Sequence, residues 1–202
     1  MKRNLERLTT AVCIAAMIGA FLAGCGGSPR TTFYTLSPMA KQEAIPWAAA
    51  PTVAVASVTV PDLVDRPQLV VRGDGPRVDI LETRRWAEPV KSALPRLLAE
   101  NLSLLLGGAR VSAYPQNAAN DSDYRVVVDF QRFESAGDRV IIDAFWTIRR
   151  STDGVPTGGR SQVREPTHSQ EYDALVAAYD RALLAVSNDI AGAIRKDFPG
   201  AR

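Results

Sequence analysis

The stretch from Tyr124 to Arg150 decides the fold: YRVVVDFQRF at 124–133 and RVIIDAFWTIRR at 139–150 flank a short connection containing SAGD at 135–138. Apolar residues alternate along both segments, which is typical of strands with one buried face, and the connection favours a tight turn. We predict an antiparallel hairpin whose core face is formed by Tyr124, Val126, Val128, Phe130, Val140, Ile142, Ala144, Trp146 and Ile148. Its other face is only half polar, because Val127, Ile141 and Phe145 interrupt the polar residues.

Further strands are predicted on both sides of this hairpin. Val53–Val60 is rich in β-branched residues with little polar alternation, which indicates a central strand covered on both faces. Shorter strands are expected at 33–36, 69–72, 78–82, 110–114 and 159–165. The turn at 73–76 is expected to join the second and third of these into another hairpin.

Two segments carry apolar residues at helical spacing, the first from Glu88 to Leu106 and the second from Glu171 to Arg195. Pro95 lies inside the first segment, where it is expected to bend the helix or mark its true start, and Gly107-Gly108 should end it. The fold class is therefore α/β: a single domain with a mixed β-sheet and two principal amphipathic helices.

The N-terminus has the form of a cleaved lipoprotein signal peptide. Basic residues precede an apolar segment from Ala11 to Leu22 that is shorter than the ~20 residues of a spanning helix. Leu22-Ala23-Gly24-Cys25 then resembles a bacterial lipobox, so we expect residues 1–24 to be removed and Cys25 to carry lipid. Residues 25–32 form the lipidated N-terminus and tether. The alternative is an ordinary secretory signal, with Cys25 a free thiol.

Composition excludes one class of partner. Residues 1–24 hold three of the 24 basic residues and one of the 22 acidic ones, so residues 25–202 carry 21 of each and are formally neutral. A neutral chain without a basic footprint is not expected to bind nucleic acid. Cys13 leaves with the signal and Cys25 is the lipid attachment site, so stability must come from the core rather than from a disulfide.

No pattern of catalytic residues stands out, and we expect no enzyme activity, no cofactor and no metal site. His168 is the single histidine and is expected to be a solvated loop residue, although a hydrolase would have to use it. Asp62, Asp65, Asp74 and Asp79 are expected to be separate solvated carboxylates. Gly73-Asp74-Gly75 lacks the further carboxylates that calcium requires.

Three aromatic residues are candidates for contacts outside the core. Trp86, beside Arg84 and Arg85, lies between a strand and a helix start, where it could fill a pocket at the domain edge. Tyr172 and Tyr179 on the last helix could face a partner. For all three we expect core packing in preference to ligand or partner contact.

Several motifs resemble the PqiC family, the ABC-type transport auxiliary lipoproteins. They are the lipobox, Phe33-Tyr34-Thr35-Leu36, the D-R-P-Q of 65–68 and the R-W-A-E-P of 85–89. The resemblance implies that residues 33–198 form an ABC-type transport auxiliary lipoprotein domain. It also implies a periplasmic lipoprotein, without catalytic activity, whose partner is the MCE-domain protein of an intermembrane lipid transport system.

The position after Cys25 is Gly26, where an Asp would commonly signal inner-membrane retention, so the implied destination is the periplasmic face of the outer membrane. The half-apolar hairpin face suggests a partner surface or a homo-oligomer. A second hypothesis is a lipoprotein regulator or scaffold of a cell-wall synthesis enzyme. A third is a hydrolase that uses His168.

Overall fold

The hairpin of residues 124–150 lies inside a larger sheet in the computed structural model, which describes residues 29–45, 50–73, 75–113, 122–152 and 154–198. Eight strands and two helices are present in these ranges. The strands are β1 Thr32–Tyr34, β2 Thr52–Thr59, β3 Gln68–Arg72, β4 Val78–Trp86, β5 Arg110–Ala113, β6 Tyr124–Ala136, β7 Arg139–Arg150 and β8 Pro156–Pro166. The helices are α1 Val90–Leu105 and α2 Tyr172–Asp197.

Strand β6 joins the two parts of the sheet. One edge of β6 pairs with β2 over Tyr124–Asp129 and with β3 at Ser135–Ala136, while its other edge pairs with β7. The resulting order is β1-β4-β3-β6-β2-β5, with β7 and β8 added beyond β6. The β1–β4, β2–β5, β2–β6 and β3–β6 pairs are parallel and the others are antiparallel, so the predicted mixed sheet is confirmed.

The core face of the hairpin is the predicted one, since all nine residues expected there are buried. The strand β6 is longer than predicted because a bulge between Phe130 and Arg132 lets it continue to Ala136. A bulge adds one residue to a strand and changes which side chains share a face. Phe130 and Phe133 therefore both enter the core, with ring centroids 5.8 Å apart.

Both helices cover the same face of the sheet. The apolar stripe of α1 that the sequence predicts is buried at Val90, Leu94, Leu97, Leu98, Leu102 and Leu105. Each fully buried leucine of this kind contributes about 1.5–3 kcal/mol. Helix α2 buries Leu175, Val176, Tyr179, Leu183, Val186, Ile190 and Ile194 in the same core.

Pro95 is expected either to bend the first helix or to mark its true start. The helix begins at Val90, after Pro89, so Pro95 lies within it and does not mark its start. The end is as predicted, because Gly107 and Gly108 have φ angles of 65° and 84°, which glycine adopts without the strain of a Cβ atom.

Two strands correct the sequence-based description. Strand β2 lies between β5 and β6, but Ser57 and Thr59 are exposed, so it is not covered on both faces along its length. Strand β8, expected as a short segment, has 11 residues and pairs with β7 throughout. Its Gly158-Gly159 pair and its charged residues hide this length from a pattern search.

The extended segment from Ser37 to Ile45 crosses the two helices. Ser37 donates its backbone N–H to Asp180 of α2 at 2.9 Å, and Met39 and Ala40 donate theirs to Asn101 of α1. Farther along, Glu43 forms an ion pair with Arg195 at 2.6 Å. The chain just after β1 is thereby held to both helices.

Residues 1–28, including the predicted signal and Cys25, lie outside the described residues. Contacts along the chain separate Met1–Arg30 from Thr31–Arg202, and the fold above is that of the second unit. Within the described ranges, no helix is long and apolar enough to cross a membrane.

Candidate functional site

The sheet face opposite the helices collects exposed apolar side chains. Six large hydrophobic residues are exposed among those described, and four of them, Phe33, Ile80, Val127 and Phe145, are on strand positions of this open face. Phe145 and Val127 keep 46% and 43% of their surface accessible. Val127 and Phe145 are diagonal neighbours across the β6–β7 pair, and adjacent exposed apolar side chains often mark a contact surface, so the open face around them is the candidate interaction surface.

The register of β6, β7 and β8 builds the centre of this surface. Phe145 of β7 stands between Asp129 of β6 and Arg160 of β8. The Arg160 guanidinium lies 4.9 Å from the centroid of the Phe145 ring. This cation–π contact covers one face of the ring, while 46% of the Phe145 surface stays accessible.

The neighbouring carboxylate fixes Arg160 in place. Asp143 accepts hydrogen bonds from Nε and Nη2 of Arg160 at 2.8 and 2.5 Å, which is a two-pronged geometry. These hydrogen bonds hold the pKa of Asp143 below its ordinary value. A half-exposed pair of this kind adds at most about 1 kcal/mol of stability, so its main effect is to orient Phe145.

A second ion-pair cluster lies on the same face, toward β3. Glu134 accepts hydrogen bonds from Arg72 and from Arg132, each at 2.8 Å. Burial alone would raise the pKa of Glu134, but the two arginines together lower it. The open face therefore consists of a few apolar side chains within a fixed lattice of ion pairs. Such a surface suits contact with another molecule, because burial of Phe145 against a partner would contribute about 1.5–3 kcal/mol of favourable binding free energy.

The two sequence motifs after β2 meet in the structure. Gln68 of D-R-P-Q is in register with Arg85 of R-W-A-E-P, and the Trp86 N–H donates to the Pro67 carbonyl at 2.7 Å. Glu88 accepts a hydrogen bond from Arg96 at 2.7 Å. The motifs thus connect β3, β4 and the first turns of α1, and their hydrogen bonds fix how these three elements meet.

The three aromatic candidates are placed mainly as core residues. Trp86 is buried against Tyr179, with ring centroids 5.9 Å apart, and Tyr179 stacks on Phe133 at 4.6 Å. Burial raises the pKa of Tyr179. Tyr172 is half-buried beneath Arg84, whose guanidinium lies 5.2 Å from its ring. The preference for core packing is confirmed for Trp86 and Tyr179.

The residues considered for catalysis or metal binding do not converge. His168 is exposed in the loop between β8 and α2, and its side chain makes no hydrogen bond or ion pair with the described residues. Asp65 and Asp79 have different cationic neighbours, Lys91 and Arg77. Asp74 and Cys25 lie outside the described residues. Over the described ranges, no three His, Cys, Asp or Glu residues are grouped closely enough to hold a metal ion.

Sequence patterns missed Asp143 and Arg160 as parts of the surface. They are 17 residues apart in the chain and meet only through the pairing of β7 with β8. A hint was available in the alternation of β8, where Arg160, Gln162 and Arg164 occupy every second position.

Comparison with known structures supports the fold. An uncharacterized protein of known crystal structure is 22% identical with a TM-score of 0.69, over 82% of this chain and 99% of the other. Protein XCC0632 from Xanthomonas campestris, a DUF330 protein, is also 22% identical with a TM-score of 0.63, over 80% of this chain and 93% of its own. No curated protein matches the sequence significantly.

The family comparison covers most of the domain. Residues 34–191 match the family described as "ABC-type transport auxiliary lipoprotein component". This range includes both motifs, the whole sheet after β1 and most of α2. The chain therefore belongs to the family of ABC-type transport auxiliary lipoproteins.

Proposed function

We propose that this protein is an accessory subunit of an MCE-type intermembrane phospholipid transport system that maintains envelope integrity. The family match over residues 34–191 carries the proposal, because its members are lipoproteins that assist ABC-type transport. The resemblance of the D-R-P-Q and R-W-A-E-P motifs to the PqiC family supports the MCE-domain protein as the partner. The subunit acts by binding and positioning, without catalysing a reaction.

The anchor follows from the lipobox. Lipid on Cys25 holds the protein to the membrane, and Gly26 favours the periplasmic face of the outer membrane. From Cys25 to the start of β1 at Thr32 is seven residues, which span at most about 25 Å when extended. The folded domain would therefore work close to the membrane surface.

The open sheet face is the proposed docking surface. Phe145 and Val127 supply the apolar area, while the fixed ion pairs around them supply register and specificity. The same face could instead join copies of this chain into a homo-oligomer, which the experiments below distinguish by mass.

The first test is a mild-detergent pull-down of the full-length lipoprotein from its native envelope, with mass spectrometry of the captured proteins. We expect an MCE-domain protein and its permease, and we expect both to be lost from the Cys25→Ser variant. Capture of a cell-wall synthase in their place would favour the regulator hypothesis and contradict this one.

The second test addresses the surface. Phe145→Glu places a charge where a partner would bury the ring, so we expect capture of the partner to fall at least about tenfold, or a homo-oligomer to dissociate on light scattering. Val155→Glu is the matched control, because Val155 is also an exposed hydrophobic residue but lies in the loop between β7 and β8. Equal capture by both variants would rule out the open face.

A further inference from the structure

The function proposed above does not use a cleft that lies on the helix side of the sheet. It lies between the C-terminal half of α2 and the beginning of β8 and has a volume of about 670 Å³. Trp146, Gly159, Gly192 and Ala193 line it, and Asn188 and Lys196 are among its polar residues. This volume is within the range of pockets that hold ligands.

The Trp146 side of the cleft is held rigidly. The Trp146 indole lies so close to Gly159 that a Cβ atom there would be 2.1 Å from ring atom Cζ2. The indole N–H donates to Ser161 Oγ at 3.0 Å, and Ser161 donates to Asp189 of α2 at 2.6 Å. The ring is thereby fixed on this side of the cleft and cannot turn to fill it.

The helix side of the cleft has a glycine that internal packing does not require. Gly192 lies well inside α2, where glycine is less favourable than alanine. A Cβ atom added there would meet nothing within 4 Å among the described residues. The glycine leaves helix backbone bare at the cleft, so a bound molecule can approach it closely.

The strand beside the cleft is an open edge. Strand β8 pairs with β7 without a register shift from Pro156 to Pro166, and among the described residues no strand pairs with its other edge. The other terminal strands, β1 and β5, have only three and four residues. A long regular edge is a template for a further strand.

Charge indicates what kind of strand would fit. In the cleft, Asp197 accepts a hydrogen bond from the Tyr124 hydroxyl at 2.9 Å and lies 3.7 Å from Arg150. Among the described residues, Asp189 accepts only from the neutral hydroxyl of Ser161 and keeps its negative charge. Lys196 in the cleft and Arg164 on the open-face side of β8 are exposed and form no ion pair with the described residues. Lys196 and Asp189 offset each other in the cleft, so over the described ranges the charge left without an ionic partner is positive on the open-face side of the edge, at Arg164.

We propose that the β8 edge and its cleft bind an extended segment of a partner protein as an added strand. Apolar side chains at every second position enter the cleft beside Gly192, and acidic side chains between them face Arg164. A second copy of β8 paired antiparallel about Gln162 would place Arg160 opposite Arg164, which disfavours that arrangement. This inference does not depend on the MCE system being the partner.

The test uses full-length protein in mild detergent and three fluorescent peptides of 11 residues, the length of β8. The peptides alternate valine with glutamate, alternate valine with lysine, or carry a central proline in the valine–glutamate sequence. We expect the uninterrupted valine–glutamate peptide to bind at least about tenfold more tightly than the other two in fluorescence anisotropy. Equal affinities, or no binding up to about 1 mM, would overturn the proposal.

Variants of cleft residues test whether the peptide binds in the cleft. Gly192→Trp fills the cleft and should weaken binding at least about tenfold. Gly192→Ala covers the bare backbone with a single methyl group, so it should weaken binding by only about two- to fivefold while raising the Tm. Circular dichroism checks folding, and Lys196→Glu provides a second, exposed variant that should weaken binding several-fold. Unchanged binding in Gly192→Trp and Lys196→Glu would exclude the cleft.

Light scattering at increasing protein concentration tests the remaining alternative, which is self-association through β8. If the protein self-associates through β8, Gly192→Trp will abolish association and no peptide will bind, which contradicts the proposal. If the valine–glutamate peptide binds but no MCE-domain protein is captured from the envelope, this inference stands and the proposed transport role fails.

Discussion

At the scale of single residues, Asp180 is a charged group in an unfavourable position. Its side chain is buried in α2 and accepts the Ser37 N–H at 2.9 Å. Burial raises the pKa of Asp180 to about 6, and the hydrogen bond from Ser37 and the charge of Arg181 only partly oppose this. Between the unfolded value of 3.8 and about 6, the folded state binds the proton more tightly, so this group makes stability fall as pH rises through that window.

Asp180→Asn keeps an oxygen that accepts the Ser37 N–H and removes the buried charge. We expect the variant to be more stable than the original protein by about 1–2 kcal/mol near pH 7.5, and the gain to shrink toward pH 4. Urea unfolding at both pH values measures this. A variant that is less stable at the higher pH would mean that the carboxylate charge is itself stabilising.

The Trp146 indole makes a second residue-scale prediction. Gly159→Ala would place a methyl carbon 2.1 Å from Cζ2 of the Trp146 ring, which is an impossible overlap. The indole must therefore move or the strand must shift, at a cost of about 1–3 kcal/mol. The matched control is Gly158→Ala, whose Cβ atom would lie 3.6 Å from the Trp146 carbonyl, an ordinary contact. Denaturant midpoints and near-ultraviolet circular dichroism should change for the first variant and stay nearly constant for the second.

At the scale of elements, the segment from Ser37 to Ala40 depends on one buried amide. Asn101 is fully buried in α1, accepts the N–H groups of Met39 and Ala40 at 3.2 and 3.1 Å, and donates to Ser187 of α2 at 3.4 Å. The side chain therefore links three elements that lie far apart in the chain. It holds the segment that follows β1 against both helices.

Asn101→Leu leaves two backbone donors without an acceptor. We expect a loss of about 1–3 kcal/mol in urea unfolding, because an unsatisfied buried N–H costs about 1–3 kcal/mol and water can reach these two half-buried donors in part. Amide exchange at Met39 and Ala40 should also become faster. Asn188→Leu is the same chemical change on the exposed surface of α2 and should alter stability by less than about 0.5 kcal/mol. Similar losses in both variants would show that the buried amide has no special role.

The elements also show how far sequence patterns reach. The stripes of α1 and α2 and the alternation of β7 were predicted within a few residues, because those patterns arise from neighbours close in the chain. Strand β8 was predicted too short, since its stability comes from pairing with β7 and from Ser161 binding Trp146 and Asp189. The extra length of β6 depends on a bulge that only its partner strand reveals.

At the scale of the whole molecule, β6 makes the domain one cooperative structure. It pairs with β2, β3 and β7, and one continuous core extends from Trp86 near the β4–α1 junction to Trp146 beside β8. If either the β7–β8 part or the rest of the sheet unfolded, core residues of the remaining part would be exposed.

This arrangement predicts a single unfolding transition. Tryptophan fluorescence, which reports on regions around both Trp86 and Trp146, and far-ultraviolet circular dichroism should give the same urea midpoint. Removing residues 1–28 should leave this midpoint unchanged. Two separate transitions would mean that the β7–β8 part unfolds independently of the rest.

The sequence by itself determined the local structure and the chemistry of the chain. Periodicity specified most strands and both helices, the lipobox and the two motifs pointed to the family, and no combination of residues suggested catalysis. Tertiary structure alone decided which sheet face is open, how Asp143 and Arg160 hold Phe145, and where β8 and Gly192 border a cleft. The physical reason is that helical and strand periodicity depend on neighbours a few residues away. Register, bulges and clefts arise only when distant segments bury their apolar faces together.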